Sequence, residues 1–306
     1  MTDPALNLNQ NDSPENTGPL IDIKSRIAGL KRLPPMPEMA QRILKLSNNP
    51  NAAVKDLVTV VEIDPSLTAQ VLRYASSPFF GYRGKVDSIH VAVSRVLGYT
   101  MVMNMALGVA TAKSFKMPKN IPLGLDAFWR HAVYSAALVQ ALSNALPKES
   151  RPPAGLAYLA GLLHNFGHLL VGHLFRQEFL LLNKFITNNP DKSVVEIELE
   201  VLGVDHGRIG AWLMKAWRLP EEVIVATREH HNEHYYGDHA VYAQLVLLSD
   251  RLLKKHGIGE ASSEEMPEFA LEGLGLGEYQ AKMIAKRVLD ESVGLDSMVM
   301  HLSTGR

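Results

Sequence analysis

Gly161-Leu-Leu-His-Asn-Phe-Gly-His168 ends an apolar run with two imidazoles and an amide. Leu156, Leu159, Leu162 and Leu163 recur at three- and four-residue spacing ahead of His164, which predicts a buried helix started by Pro152-Pro153. A polar side chain set into such a face needs a partner, because an unpaired buried polar group costs roughly 1–3 kcal/mol. His164 is therefore a metal ligand or a member of a hydrogen-bonded network, and the groups that join it must come from elsewhere in the chain.

Outward from this stretch the pattern stays helical. On the C-terminal side, Leu169 to Phe179, Glu196 to Leu202, His206 to Trp217, Glu221 to His231 and Asp238 to Lys255 read as helices, with Pro220 fixing one start. On the N-terminal side, Asp126 is placed to cap a long helix through Leu146 that carries Trp129, His131, Tyr134, Leu138 and Leu142. Lys116 to Gly124 holds two prolines and a glycine, and separates these helices from an earlier set. That set comprises Leu20 to Leu30, Met39 to Leu46, Val54 to Ile63, a helix begun by Asp64-Pro65, one begun by Ser88, and an almost wholly apolar one from Tyr99 to Phe115. Alternate methionines at Met101, Met103 and Met105 cannot share one helix face, so they are expected in the core and not on a soft metal.

No segment alternates as a strand between hairpin turns, and the expected fold is all-α: a two-lobed helical bundle. Its N-terminal lobe covers 19–118 and its C-terminal lobe 122–256, preceded by a mobile tail, 1–18, and followed by a helical extension, 257–306, after the break at Gly257. The aromatic loop at 77–87 is expected to pack its rings on its own lobe.

Composition narrows the chemistry. The 306 residues are 46% hydrophobic, enough for a substantial core, and contain no cysteine, which excludes disulfides, thiolate metal sites and a cysteine nucleophile. Thirty-one basic residues balance 32 acidic ones without forming a stripe, so nucleic acid is not expected as a partner. With no signal-like start and no long apolar run, the expectation is a cytoplasmic protein without membrane contact. Nucleotide-binding glycine loops and a serine elbow are absent.

Eight of the twelve histidines lie between His164 and His239. His131, His164, His206, His230-His231 and Asp250 each interrupt an apolar face, and interruptions on five helices point to one shared polar centre. Both metal ligation and a metal-free network satisfy that pattern. His168 and His173, four and nine residues after His164, are expected to be structural or surface residues, because Gly167 interrupts the His-x3-His helical spacing from His164; His234 and His239 are expected in solvated loops.

The order His131, His164-Asn165, His206, His230-His231, Asp250 resembles the HD superfamily of metal-dependent phosphohydrolases. The N-terminal half resembles a narrower branch, the HDOD domains, through Leu33-Pro-Pro-Met-Pro37, Asp64-Pro65-Ser-Leu-Thr-Ala-Gln-Val-Leu-Arg73, Ser88-Ile-His-Val-Ala-Val93 and Leu97-Gly98. This resemblance covers roughly residues 22–255 and implies a catalytically degenerate module of bacterial signalling, acting through a protein partner or a small regulatory ligand. It also implies a metal set drawn from His131, His164, Asn165, His206, His230, His231 and Asp250, holding one divalent transition metal such as Fe, Mn, Ni or Zn.

Asn165 stands where the doublet of an active HD hydrolase has aspartate, and a neutral amide is a poor bridge between two cations. His168 follows Gly167 where many active relatives carry lysine, and His230-His-Asn-Glu-His-Tyr-Tyr-Gly-Asp238 lacks the Gly-Tyr-Pro signature of the cyclic-dinucleotide phosphodiesterases. The expected function is a non-catalytic regulatory module; the alternative is a divalent-metal phosphohydrolase acting on a nucleotide or phosphodiester.

Overall fold

The computed structural model describes residues 19–304 apart from positions 31–32, 114, 154 and 262, and helices make up most of them. The stretch expected as a mobile tail, 1–18, lies outside the described residues. The first set of helices is α1 (Ile23–Ala28), α2 (Glu38–Ser47), α3 (Val54–Glu62), α4 (Pro65–Ala75), the short α5 (Ile89–Val91), which runs into a π-turn at Ala92–Leu97, and α6 (Tyr99–Ala112). The second set is α7 (Leu125–Ala145), α8 (Leu156–Leu163), α9 (Phe166–Leu174), α10 (Arg176–Asn188), α11 (Val194–Leu202), α12 (His206–Ala216), α13 (Glu221–Glu229) and α14 (Ala240–Lys254). Three more follow: α15 (Glu268–Leu274), α16 (Glu278–Asp290) and α17 (Val293–Thr304). Among the described residues there is no strand, and no helix is long and apolar enough to cross a membrane.

Local chemistry sets several of the helix starts. The Asp64 carboxylate accepts from the amides of Ser66 and Leu67, with Pro65 at the first helical position, and the Ser88 hydroxyl accepts from the Val91 amide. Asp205 caps α12 through the Arg208 amide, which places His206 in the first turn. Two expected starts shift. Gly124 occupies the cap of α7, so Asp126 lies inside the first turn and accepts instead from the Asn120 amide at 3.3 Å. Pro152-Pro153 lies in the loop before α8, which begins only after Gly155 turns the backbone into the left-handed region.

The two lobes share α6, which packs on α2 on one side and on α8 on the other. Its residues from Met101 to Ala112 are buried, which accounts for the methionine run as core. The loop after α6 is held by the His173 ring, whose Nδ1 accepts from the Lys116 amide at 3.2 Å. In the 77–87 loop Phe80 packs on its own lobe as expected, meeting Tyr74 edge-on with centroids 5.0 Å apart, while Phe79 is covered from the C-terminal extension by the Arg287 guanidinium.

The C-terminal helices stitch the lobes together. α17 packs on both α4 and α7: the Tyr134 hydroxyl donates to Asp296 at 2.6 Å, and Arg73 donates to Ser297 and His301.

Close approach of α9 to α12 depends on Gly167. A Cβ there would lie 2.0 Å from the His206 carbonyl oxygen, and one at Gly210 would meet the Gly167 backbone. Gly167 is thus a contact point between helices, and it brings the end of α8 within reach of His206. Gly167→Ala is expected to lower stability by about 1–3 kcal/mol, as overpacking of a tight core does. Urea unfolding checks this, and an unchanged midpoint would show that the helices are not in this contact.

Candidate metal centre

Six elements deliver the expected polar groups to one place. His131 comes from the middle of α7, His164 from the C-cap of α8, Asn165 from the cap of α9, His206 from the first turn of α12, His230 and His231 from the end of α13, and Asp250 from α14. His131, His164, Asn165, His206, His230 and Asp250 are buried, while His231 is partly buried. Sequence order spread them over 120 positions; helix packing gathers all seven.

The proton positions follow from the acceptors. His164 Nδ1–H donates to the Gly161 carbonyl at 2.7 Å, His230 Nδ1–H to the Thr227 carbonyl at 2.8 Å, and His206 Nδ1–H to Glu198 Oε2 at 2.7 Å. Carbonyl and carboxylate oxygens can only accept, so in each neutral ring the proton is on Nδ1 and Nε2 carries a lone pair. Those Nε2 atoms face inward. His164 Nε2 lies 3.7 Å from Asp250 Oδ1, His206 Nε2 lies 3.2 Å from His230 Nε2, and His231 Nε2 is 3.1 Å from His206 Nε2. His131 is held differently, with Nε2 2.9 Å from Asp250 Oδ1 and Nδ1 accepting from the Asn165 amide at 3.0 Å.

Three residues of the centre were not expected. His168 is buried beside it, its ring centroid 4.1 Å from that of His206 and its Nε2 bonded to Glu198 Oε1 at 2.8 Å, so it is a structural residue and not a surface one. Gly167 does not break the helix ahead of it but sits within α9 as a contact point. Glu198 is 1% exposed and accepts from His168, from the His206 ring and from the His206 amide. It shares the buried face of α11 with Ile197, Val201 and Leu202, so the rule that identified the histidines applies to it too. Glu260 arrives from the segment after α14, its side chain 6% exposed and Oε1 3.3 Å from His206 Nε2. His234, by contrast, is exposed in its loop, and His239 caps α14 half-buried.

Among the described residues, three sets of donors converge: His131, His164 and Asp250; His206, His230, His231 and Glu260; and His168, Glu198 and His206. Two cavities of about 150 and 160 Å³ flank them, and Glu260 borders both.

The surroundings fix the charges. Burial, reinforced for His230 by the neighbouring His164, pushes His164 and His230 down to about 3, so both stay neutral. Against its desolvation, His206 is raised to about 9 by Glu198 and Glu260. Asp250 and Glu198, despite burial, are held at about 2 by the imidazoles around them.

These shifts set the pH dependence of the metal-free protein. His164 and His230 take up protons near 6.5 when unfolded but only near 3 when folded, so stability falls as pH drops below 6.5. The two carboxylates steepen that loss further down. His206 works in the opposite sense: its contribution is complete below 6.5 and disappears as pH rises through about 9. Chelator-treated protein is therefore expected to be most stable near pH 6.5, with each histidine contributing a slope of about 1 kcal/mol per pH unit. Urea titrations from pH 5 to 9 check this: His164→Gln flattens the acid limb and His206→Gln the alkaline one.

A profile of the HDOD domain matches residues 33–233. An uncharacterised protein of Treponema pallidum (strain Nichols) is 26% identical over 201 residues, which are 65% of this chain and 38% of that one. The crystal structure of a Marinobacter aquaeolei VT8 protein, provisionally named for signal transduction, superposes with a TM-score of 0.77 and 40% identity over 89% of this chain and 60% of that one. The chain thus spans less than two thirds of either relative. An HDOD domain protein of unknown function from Geobacter sulfurreducens shares the fold, with a TM-score of 0.70 and 22% identity over 93% of this chain and 97% of that one. Asp250 and Glu260 lie beyond the matched 33–233 segment.

Proposed function

The chain belongs to the HDOD family, and on that premise we propose that it is a signal-transduction module whose HD-like centre holds a divalent cation without hydrolysing a phosphoester. One observation carries the reading. His164 Nε2 and Asp250 Oδ2 are buried acceptors with no donor, and ligand atoms of His131, His164 and Asp250 lie within 4.8 Å of one another; Asn165 Oδ1 is a third buried acceptor without a donor. Unpartnered acceptors in a packed core are costly, and a cation between His164 and Asp250 satisfies both. Imidazole, carboxylate and amide oxygen together suit Fe, Mn, Ni or Zn.

A divalent ion bound there supplies Lewis acidity and a cross-link between helices. The chain's own residues favour the second use. Asn165 contributes no charge, and its amide nitrogen is engaged by His131. Neither flanking cavity, at about 150 and 160 Å³, reaches the roughly 300 Å³ at which small-molecule sites begin. His131, His164 and Asp250 belong to three different helices, so occupancy ties α7, α8 and α14 together. A protein partner or a small regulatory ligand would read that change in rigidity.

Metal analysis with a hydrolysis assay tests the reading. The wild type is expected to retain a divalent ion that His164→Ala loses, and to hydrolyse bis(p-nitrophenyl) phosphate no faster than buffer containing the same metal. Turnover that disappears in His164→Ala would instead establish the alternative, a metal-dependent phosphohydrolase acting on a nucleotide or phosphodiester.

A further inference from the structure

Glu260 is the one carboxylate of the centre that is not carried on a helix. It stands in the strap 257–261 between α14 and the C-terminal helices, with Gly257 and Gly259 on either side of Ile258, both in the left-handed backbone region that favours glycine. The strap is fitted to the centre: a Cβ on Gly259 would lie 2.6 Å from His131 Nε2, so only a glycine lets the chain pass this close to the ring. Ile258 is buried beside it and anchors the turn.

The fit leaves one oxygen of Glu260 without a hydrogen-bond partner, while Oε2 lies 3.7 Å from His168 Nδ1. Its Oε1 is buried and receives no hydrogen bond, although it lies 3.3 Å from His206 Nε2. Around it are His206 Nε2, the lone-pair-bearing His230 Nε2 3.2 Å from it, and His231 Nε2, 3.1 Å from His206 Nε2. All four ligand atoms lie within 4.8 Å of one another. Four ligands placed tetrahedrally about a transition metal at roughly 2.0–2.1 Å stand about 3.4 Å apart, so the spacing matches a site of three imidazoles and one carboxylate. A single proton on His206 can bond only one of the three groups facing it, whereas a cation engages all of them. Glu198 completes the arrangement from behind by orienting His206 through Nδ1, as an outer carboxylate does for a metal-bound histidine.

We propose that Glu260 is a metal ligand delivered by the strap, completing with His206, His230 and His231 a cation site separate from the one at His164. Because the fourth ligand comes from the segment leading to α15, α16 and α17, filling this site fastens the C-terminal helices to the lobe. Those helices bridge α4 and α7, so cation occupancy and the docking of the extension across both lobes are linked: each strengthens the other. The site uses none of the His131, His164 and Asp250 ligands, and so stands or falls independently of the function proposed above.

Cobalt(II) binding and trypsin susceptibility of the full chain test this. Lys255, exposed just ahead of the strap, offers a cleavage site whose accessibility reports strap release. Adding Co2+ to chelator-treated wild type is expected to slow cleavage there at least tenfold, and His164→Ala, lacking only the other site, should keep the protection. Glu260→Gln, nearly identical in shape, should bind one equivalent less, or bind it at least about tenfold more weakly, and should lose the protection. Unchanged Co2+ stoichiometry, affinity and protection in Glu260→Gln would overturn the proposal. Should that variant fail to fold, the wild type alone decides: cleavage at Lys255 indifferent to Co2+ overturns it.

Discussion

The commitment of three imidazole Nδ1–H groups to oxygen acceptors is the interaction on which the centre depends. Gly161 and Thr227 hold His164 and His230 so that their Nε2 lone pairs point inward, and Glu198 turns Nε2 of His206 toward the same interior. Two of these acceptors are carbonyls three residues back in the same helix, so the ring orientation follows from helix geometry itself. An interior of converging lone pairs has no internal donor to neutralise it beyond one or two protons. A cation is its natural complement.

The remainder of the fold holds that interior in place. Phe115, Phe166, Trp217 and Phe128 pack around its N-terminal side, and α6 presents an almost unbroken apolar surface to both lobes. Gly167 lets α9 and α12 touch, Gly259 lets the strap touch His131, and Glu198 joins His168 to His206. Loss of any of these contacts would move a ligand by more than metal geometry tolerates. The same packing keeps the flanking cavities small.

Most of this was legible in the sequence. The helices follow from apolar spacing and from caps such as Asp64-Pro65 and Ser88, and the histidines and Asp250 stand out because each breaks an apolar face. What remained hidden did so for physical reasons. Glu198 lies in Glu196-Ile-Glu-Leu-Glu-Val201, where the alternation of acid and apolar residues masks the helical face that it shares with Ile197, Val201 and Leu202. His168 was obscured by a glycine that serves close contact and not helix termination. Glu260 sits in a strap with no period, and its place depends on a backbone turn that pattern alone does not specify. The starts of α7 and α8 moved because Gly124 and Gly155 take the cap positions that Asp126 and the proline pair were expected to fill.

Anomalous diffraction from crystals of the native protein, recorded at the absorption edges of Mn, Fe, Ni and Zn, tests the central claim most directly. A peak is predicted within roughly 2.0–2.3 Å of His164 Nε2 and Asp250. Ordered water at that point in crystals soaked with each metal, with no anomalous signal at any edge, would contradict it and leave the imidazoles as a metal-free network.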